Sequence, residues 1–182
     1  MSAALLALAV GGVQAQVYVG GNLGLSKVDI ECPVGVRCDT NDIGYKAYVG
    51  FKDPSNQNFS VEGGYLDLGK AKAEGARAAE FKARAFFLAA ALHGNFTPSF
   101  GGGGRAGLAY VKTSCTGTVN SFSGSVDQTY LAAYVGGNLD YALTRNLKAV
   151  VALDVTRAKC PAAVDLPSAT VGLLSLGAQY DF

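Results

Sequence analysis

The sequence predicts an all-β fold, an eight-stranded antiparallel up-and-down barrel, and three observations carry the prediction. Apolar and polar residues alternate at period 2 in run after run, the mark of strands with two unlike faces. The links between runs are short, long, short, long, the rhythm of a meander with one plain rim and one decorated rim. The chain also finishes on a fully patterned strand, LLSLGAQYDF, in which Leu174, Leu176, Ala178, Tyr180 and Phe182 share a face. Terminal residues usually fray unless tied down, and pairing the last strand with the first would tie this one.

The first segment, residues 1–15, reads as an export signal. SAALLALAV is an apolar run, and Val13 and Ala15 place small residues before Gln16, although no Lys or Arg precedes the run as such signals usually require. Residues 16–182 then read as the barrel. In the first strand Val17, Val19, Gly21, Leu23 and Leu25 oppose Tyr18, Gly20, Asn22, Gly24 and Ser26. In the second, Ile43, Tyr45, Ala47, Val49 and Phe51 oppose Gly44, Lys46, Tyr48 and Gly50. Phe59, Val61, Gly63 and Tyr65 oppose Ser60, Glu62, Gly64 and Leu66 in the third.

The fourth segment is ambiguous by propensity, because Lys70 to His93 is rich in Ala, Glu, Lys and Arg. The placement of Phe81, Lys82, Arg84 and Phe87 favours a strand from near Glu80, with Phe81, Ala83, Ala85, Phe87 and Ala89 on one face and Lys82, Arg84, Phe86 and Leu88 on the other. Ala106, Leu108 and Tyr110 oppose Arg105, Gly107 and Ala109 in the fifth. Leu131 to Tyr141 and Leu147 to Val155 supply the sixth and seventh, with Asp140, Lys148 and Asp154 on their polar faces. Each run is about ten residues, the span of a tilted strand across a bilayer. Residues 53–58, 95–100 and 142–146 are short turns, and 29–42, 71–79, 114–128 and 159–168 are the longer polar links. The four glycines Gly101 to Gly104 lack the Lys-Ser/Thr of a phosphate loop and read as a bend at the barrel floor.

Composition narrows the class. A net charge of +1 leaves no basic footprint for nucleic acid, while 49% apolar and only 16% charged residues make an oily chain. No stretch is long enough for a spanning helix, so a membrane would be crossed by strands. Alternation alone fits both a transmembrane barrel and a soluble exported one that carries a small apolar ligand, as lipocalins do. Export, strand length and aromatics near strand ends (Phe51, Phe59, Phe81, Tyr110, Tyr141, Tyr180, Phe182) favour the membrane, where aromatic girdles mark the interfaces.

With the apolar faces on lipid, the bore takes Lys46, Glu62, Lys82, Arg84, Arg105, Asp140, Lys148 and Asp154. An eight-stranded bore is filled by side chains, so these charges must pair. Strand order puts Glu62 beside Lys46 and beside Lys82 or Arg84, giving an ionic plug; a narrow ion path is the alternative. Four cysteines suit an oxidising compartment. Cys32 and Cys38 bracket PVGVR, which leaves Cys115 and Cys160 for each other, although four cysteines allow three pairings. His93 is the single histidine, too few for zinc and without an adjacent Ser and acid for catalysis. Neither an enzyme nor a cofactor is expected.

Several passages resemble one family. YVGGNLGLS (18–26), GYKAYVGF (44–51), FSVEGGYLDLG (59–69), GGNLDYALTRNLKAVVALD (136–154) and the closing strand resemble the OmpA-like outer-membrane barrels of Gram-negative bacteria. The resemblance implies an outer-membrane location, lipid as the main partner, a monomer, and a structural or surface-interaction role with any ligand held by extracellular loops. It implies that Tyr180 and Phe182 form the signal read by the barrel-assembly machinery. Glu62 and Asp140 match lumenal acids of the family and Arg105 a lumenal arginine; Val150 stands where the family has another arginine, so Lys148 would substitute. Larger members continue into a periplasmic peptidoglycan-binding domain; none is expected from these 182 residues.

Overall fold

The computed structural model describes residues 16–29, 37–74, 78–119, 122–158 and 169–182. The export signal therefore lies outside the described residues. The strands are β1 (Val17–Asp29), β2 (Arg37–Asp39), β3 (Asn41–Lys52), β4 (Phe59–Glu74), β5 (Ala78–Asn95), β6 (Phe100–Val119), β7 (Phe122–Ala142), β8 (Leu147–Ala158) and β9 (Ala169–Asp181). Both β2 and β3 pair with β4 and are separated only by Thr40, so together they make one stave of eight. Every neighbouring pair is antiparallel, and β1 with β9 closes the wall from Tyr18↔Asp181 to Asp29↔Thr170.

The register fixes the barrel's shape. From Tyr18 the pairing line runs through Gly50, Glu62, Ala89, Gly107, Tyr134, Thr156 and Val171, and returns to β1 at Val28, ten residues farther on (28 − 18). With ordinary strand spacings that stagger tilts the strands by about 40°. Each step along the line also lifts the partner by roughly 3 Å along the axis.

Side-chain direction follows the alternation read from the sequence. Leu23, Leu88, Leu108, Leu131, Leu153 and Leu176 all point outward, Leu176 with 63% of its surface exposed, while Lys46 and Asp154 keep 2% and 1%. A soluble barrel puts its apolar rows inside; the middle of this outer wall is a continuous apolar band, which removes the lipocalin-like alternative. On β6 the lipid-facing stretch from Phe100 to Tyr110 rises about 25 Å at this tilt, the height of the apolar band of a membrane barrel. Outward Tyr141 and Tyr180 sit near the short-turn rim, and Tyr45, Tyr65, Phe86 and Tyr110 mark the other edge.

Four expectations need correction. Lys82 and Arg84 point outward, and the small residues Ala83, Ala85, Ala89 and Ala91 of β5 point inward with Phe87. A narrow bore selects small side chains, and both cations lie beyond the apolar band, where an outward charge meets water. Phe81 faces the interior instead of a girdle, packing on the buried cluster. The links expected at 71–79 and 114–128 are mostly strand: β4 runs to Glu74, β5 starts at Ala78, β6 runs to Val119 and β7 starts at Phe122. Above the band the outward positions turn polar (Lys112, Ser114, Thr116) like the buried Thr113 and Cys115 between them, so backbone pairing continues without apolar alternation to advertise it.

Gly101–Gly104 do not bend the strand either; they pair in unbroken register with both β5 and β7. The register shift falls in β4 between Asp67 and Lys70. There Gly69 takes a φ of 70°, a left-handed conformation cheap only for glycine. Asp67 accepts from the Gly69 N–H (3.0 Å) and Asp42 from the Lys70 N–H (2.7 Å), which fixes the bulge.

Candidate functional site

The lumen holds two charge-balanced layers. Deeper in the bore, Lys46 of β3 places Nζ 2.8 Å from Asp154 Oδ2 and 3.0 Å from Oδ1. Tyr134 donates its hydroxyl to the same carboxylate. Arg105 of β6 donates from Nη1 to Glu62 Oε2 (2.8 Å) and from Nη2 to Asn138 Oδ1 (2.9 Å), with Nε 3.9 Å from Asp154. Tyr18 donates to Glu62 Oε1 (2.8 Å). The Tyr48 ring lies 5.0 Å from Lys46 Nζ and 5.8 Å from the Arg105 guanidinium carbon, close enough for both cations to feel its face. Two cations meet two carboxylates, so this layer carries no net charge, and all four charged residues are buried.

Nearer the short-turn rim, Asp181 takes Lys52 and Lys148, each at 3.2 Å. Asp140 has Lys148 at 3.9 Å and His93 Nδ1 at 3.6 Å. Gln179 bridges the layers, accepting from the Tyr48 hydroxyl (3.1 Å) and donating to Asp181 (2.8 Å). Lys52 and Lys148 balance Asp140 and Asp181 here too.

Glycine makes room for the rings that build this interior. Tyr18 pairs with Gly50 and Tyr48 with Gly20, and a Cβ at either glycine would collide with the opposing tyrosine ring. Each ring lies over the partner strand's bare backbone, and the two rings meet edge to face at 6.3 Å.

Toward the far rim the interior turns apolar. Phe87 and Tyr134 stack at 4.6 Å, and beyond them Leu66, Leu68, Val111, Val171 and Leu173 are fully buried. The sequence reading treated the inward faces as polar and missed this layer, although Leu66 and Leu68 already stood in phase with Glu62.

Of the eight residues expected in the lumen, six are there: Lys46, Glu62, Arg105, Asp140, Lys148 and Asp154. Arg84 instead pairs with Asp67 on the outer surface (3.2 Å), and Lys82 shares that face. Glu62 pairs with Arg105 and Lys46 with Asp154, so the expected neighbour pairs of Glu62 with Lys46, Lys82 or Arg84 do not form. Lys148 stands 3.9 Å from Asp140, and Val150 is buried against the same bore. Reasoning by strand neighbour also missed Lys52 and Asp181.

Cys115 faces the lumen above these layers and is disulfide-bonded. Cys32, Cys160 and the side chain of Cys38 lie outside the described residues. Tyr180 of β9 and Phe182, the residue after its end, stand outward with ring centroids 5.0 Å apart.

An apolar outer wall about as tall as a bilayer core, closed without an edge and filled with paired charge, defines a transmembrane β-barrel. The chain belongs to the family of the OmpA-like transmembrane domain, which it matches over residues 13–182. The fold is similar to that of Ail, the attachment invasion locus protein of Yersinia pestis, at 16% identity and TM-score 0.62, covering 92% of this chain and 99% of that one. Neisserial surface protein A is similar at 15% identity and TM-score 0.63, covering 91% and 97%. OprG from Pseudomonas aeruginosa follows at 14% and 0.58, covering 92% and 96%. No curated protein matches the chain.

Proposed function

We propose that this chain is an outer-membrane barrel of a Gram-negative bacterium with a structural or surface-interaction role, its lumen closed by an ionic core. The observation that carries the reading is the layered interior. Two neutral quartets of charge lie beneath the fully buried Leu66, Leu68, Val111, Val171 and Leu173. An ion on its way through would have to break buried pairs and then cross an apolar layer, both costly. Binding then falls to the far rim, where β4 to β7 rise past the apolar band, since exposed segments on a rigid scaffold are where partners are met.

The last strand, ending in outward Tyr180 and Phe182, serves as the assembly signal in this reading. Cys115 with Cys160, and Cys32 with Cys38, brace the far rim. Neither a catalytic role nor a cofactor is part of the reading. Fractionation and planar-bilayer recording test it together. We expect a heat-modifiable band in the outer-membrane fraction and no steady conductance. Release with soluble periplasmic protein would overturn the location. Stable channels whose conductance changes in Glu62→Gln would overturn the closed lumen.

A further inference from the structure

A second group of charges stands outside the barrel, at the far edge of the lipid-facing wall. Arg84 of β5 and Lys112 of β6 are register partners, and their outward side chains are 50% and 58% exposed. One outward position nearer the membrane, Phe86 and Tyr110 are also partners, with Tyr65 packed on Phe86 at 5.1 Å. These five residues line most of a recess of about 370 Å³.

The cations are arranged unequally. The Gly69 N–H holds Asp67 by Oδ1, and Oδ2 accepts from Arg84 Nε at 3.2 Å. The bulge carboxylate thereby orients the guanidinium by its inner nitrogen, and among the described residues Nη1 and Nη2 take no protein acceptor. Lys112 meets Asp127 at 3.3 Å, but both side chains are more than half exposed, and such surface pairs contribute little. Asp127 also engages Ser114. A phosphate can take the free guanidinium fork in bidentate fashion and displace so weak a partner from Lys112.

We propose that this recess binds the phosphorylated headgroup of an outer-leaflet glycolipid, with its phosphate between Arg84 and Lys112 and its apolar mass against Tyr65, Phe86 and Tyr110. The proposal rests on the outer-membrane reading above. Charge and position select the occupant. The cations sit where the aromatic row ends, and a lipid supplies both a phosphate at that height and apolar surface beneath it. A free anion would use the cations and leave the aromatic floor bare.

The test is native mass spectrometry of the folded protein in neutral detergent, titrated with diphosphoryl lipid A, its dephosphorylated form, and inorganic phosphate. The wild type should retain one diphosphoryl lipid A and hold the dephosphorylated form at least about tenfold more weakly. Arg84→Gln should weaken retention roughly fivefold and the double variant with Lys112→Gln roughly 30-fold, at one surface cation's worth each. The control pair Lys27→Gln and Arg157→Gln removes the same charge from outward positions on β1 and β8, and should stay within about twofold. Unchanged retention in the double variant overturns the proposal. So does an equal loss in the control pair, which would mean general electrostatics, or displacement of the lipid by millimolar phosphate, which would mean a free-anion site. A chain that stays soluble without detergent and enters no vesicles refutes the membrane reading itself; one that inserts but does not discriminate the lipids refutes only this site.

Discussion

Asp154→Asn would remove one charge from the deeper lumen while leaving the shape of the side chain almost unchanged. Tyr134 keeps an oxygen acceptor, but Lys46, now buried beside an amide, loses its carboxylate. At 2.8 Å and an effective dielectric of about 20, the Coulomb attraction forfeited is about 6 kcal/mol. Relaxation and water entry return part of it, and breaking one side of a buried pair typically costs about 3–5 kcal/mol. Arg105 Nε, 3.9 Å from the same carboxylate, places the loss toward the upper end. The assay is urea unfolding in micelles at neutral pH, followed by tyrosine fluorescence and by the heat-dependent gel shift. The double variant Lys46→Met with Asp154→Asn removes both charges and should recover at least half of the lost stability, since an unpaired charge, and not a missing bond, is the main penalty. A single variant within about 0.5 kcal/mol of wild type would refute the reasoning. So would a double variant less stable than the single one.

Three further outcomes are expected. Leu176→Arg puts a charge on the middle of the lipid-facing wall and should cost about 2–4 kcal/mol in bilayer refolding, while Arg84→Leu, past the band, should change refolding by less than about 0.5 kcal/mol. Gly20→Ala drives a methyl into the Tyr48 ring and should lower the urea midpoint by the equivalent of about 1–3 kcal/mol; an unchanged midpoint would mean the ring moves freely. Deleting Phe182 should slow insertion in cells far more than it lowers stability in micelles, because its ring stands outward and, among the described residues, meets the ring of Tyr180 alone. Equal losses in both assays would count against an assembly role.

The wall was legible where the two faces differ in kind. On β1 and β3 the exposed row is largely Leu, Val, Ile, Tyr and Phe while the inward row is mostly polar, tyrosine or glycine, so the period-2 pattern gives both strand and orientation. On β5 both faces carry apolar residues, and Lys82 with Arg84 resembled a lumenal row. The deciding signal was size. Ala83, Ala85, Ala89 and Ala91 are small enough to line a tight bore, and Phe86, Leu88 and Leu92 are bulky enough to cover a wall. Steric demand separates the faces here where polarity does not.

The ion pairs were not legible, and the stagger explains why. Partners in register do not lie at the same height, because the pairing line climbs about 3 Å with each stave. Glu62 therefore comes level with Arg105, two staves along the line, where the strand offset cancels the climb. Lys46 meets Asp154 across the bore for the same reason, although their strands do not touch. A linear sequence fixes which residues face inward but not their heights, and the heights depend on a ten-residue offset that only the closed register reveals. Once that offset is known, two cations and two acids of one layer fall within reach of one another, and each acid finds a cation. The ionic core is thus a consequence of barrel closure, which is why its partners could not be assigned strand by strand.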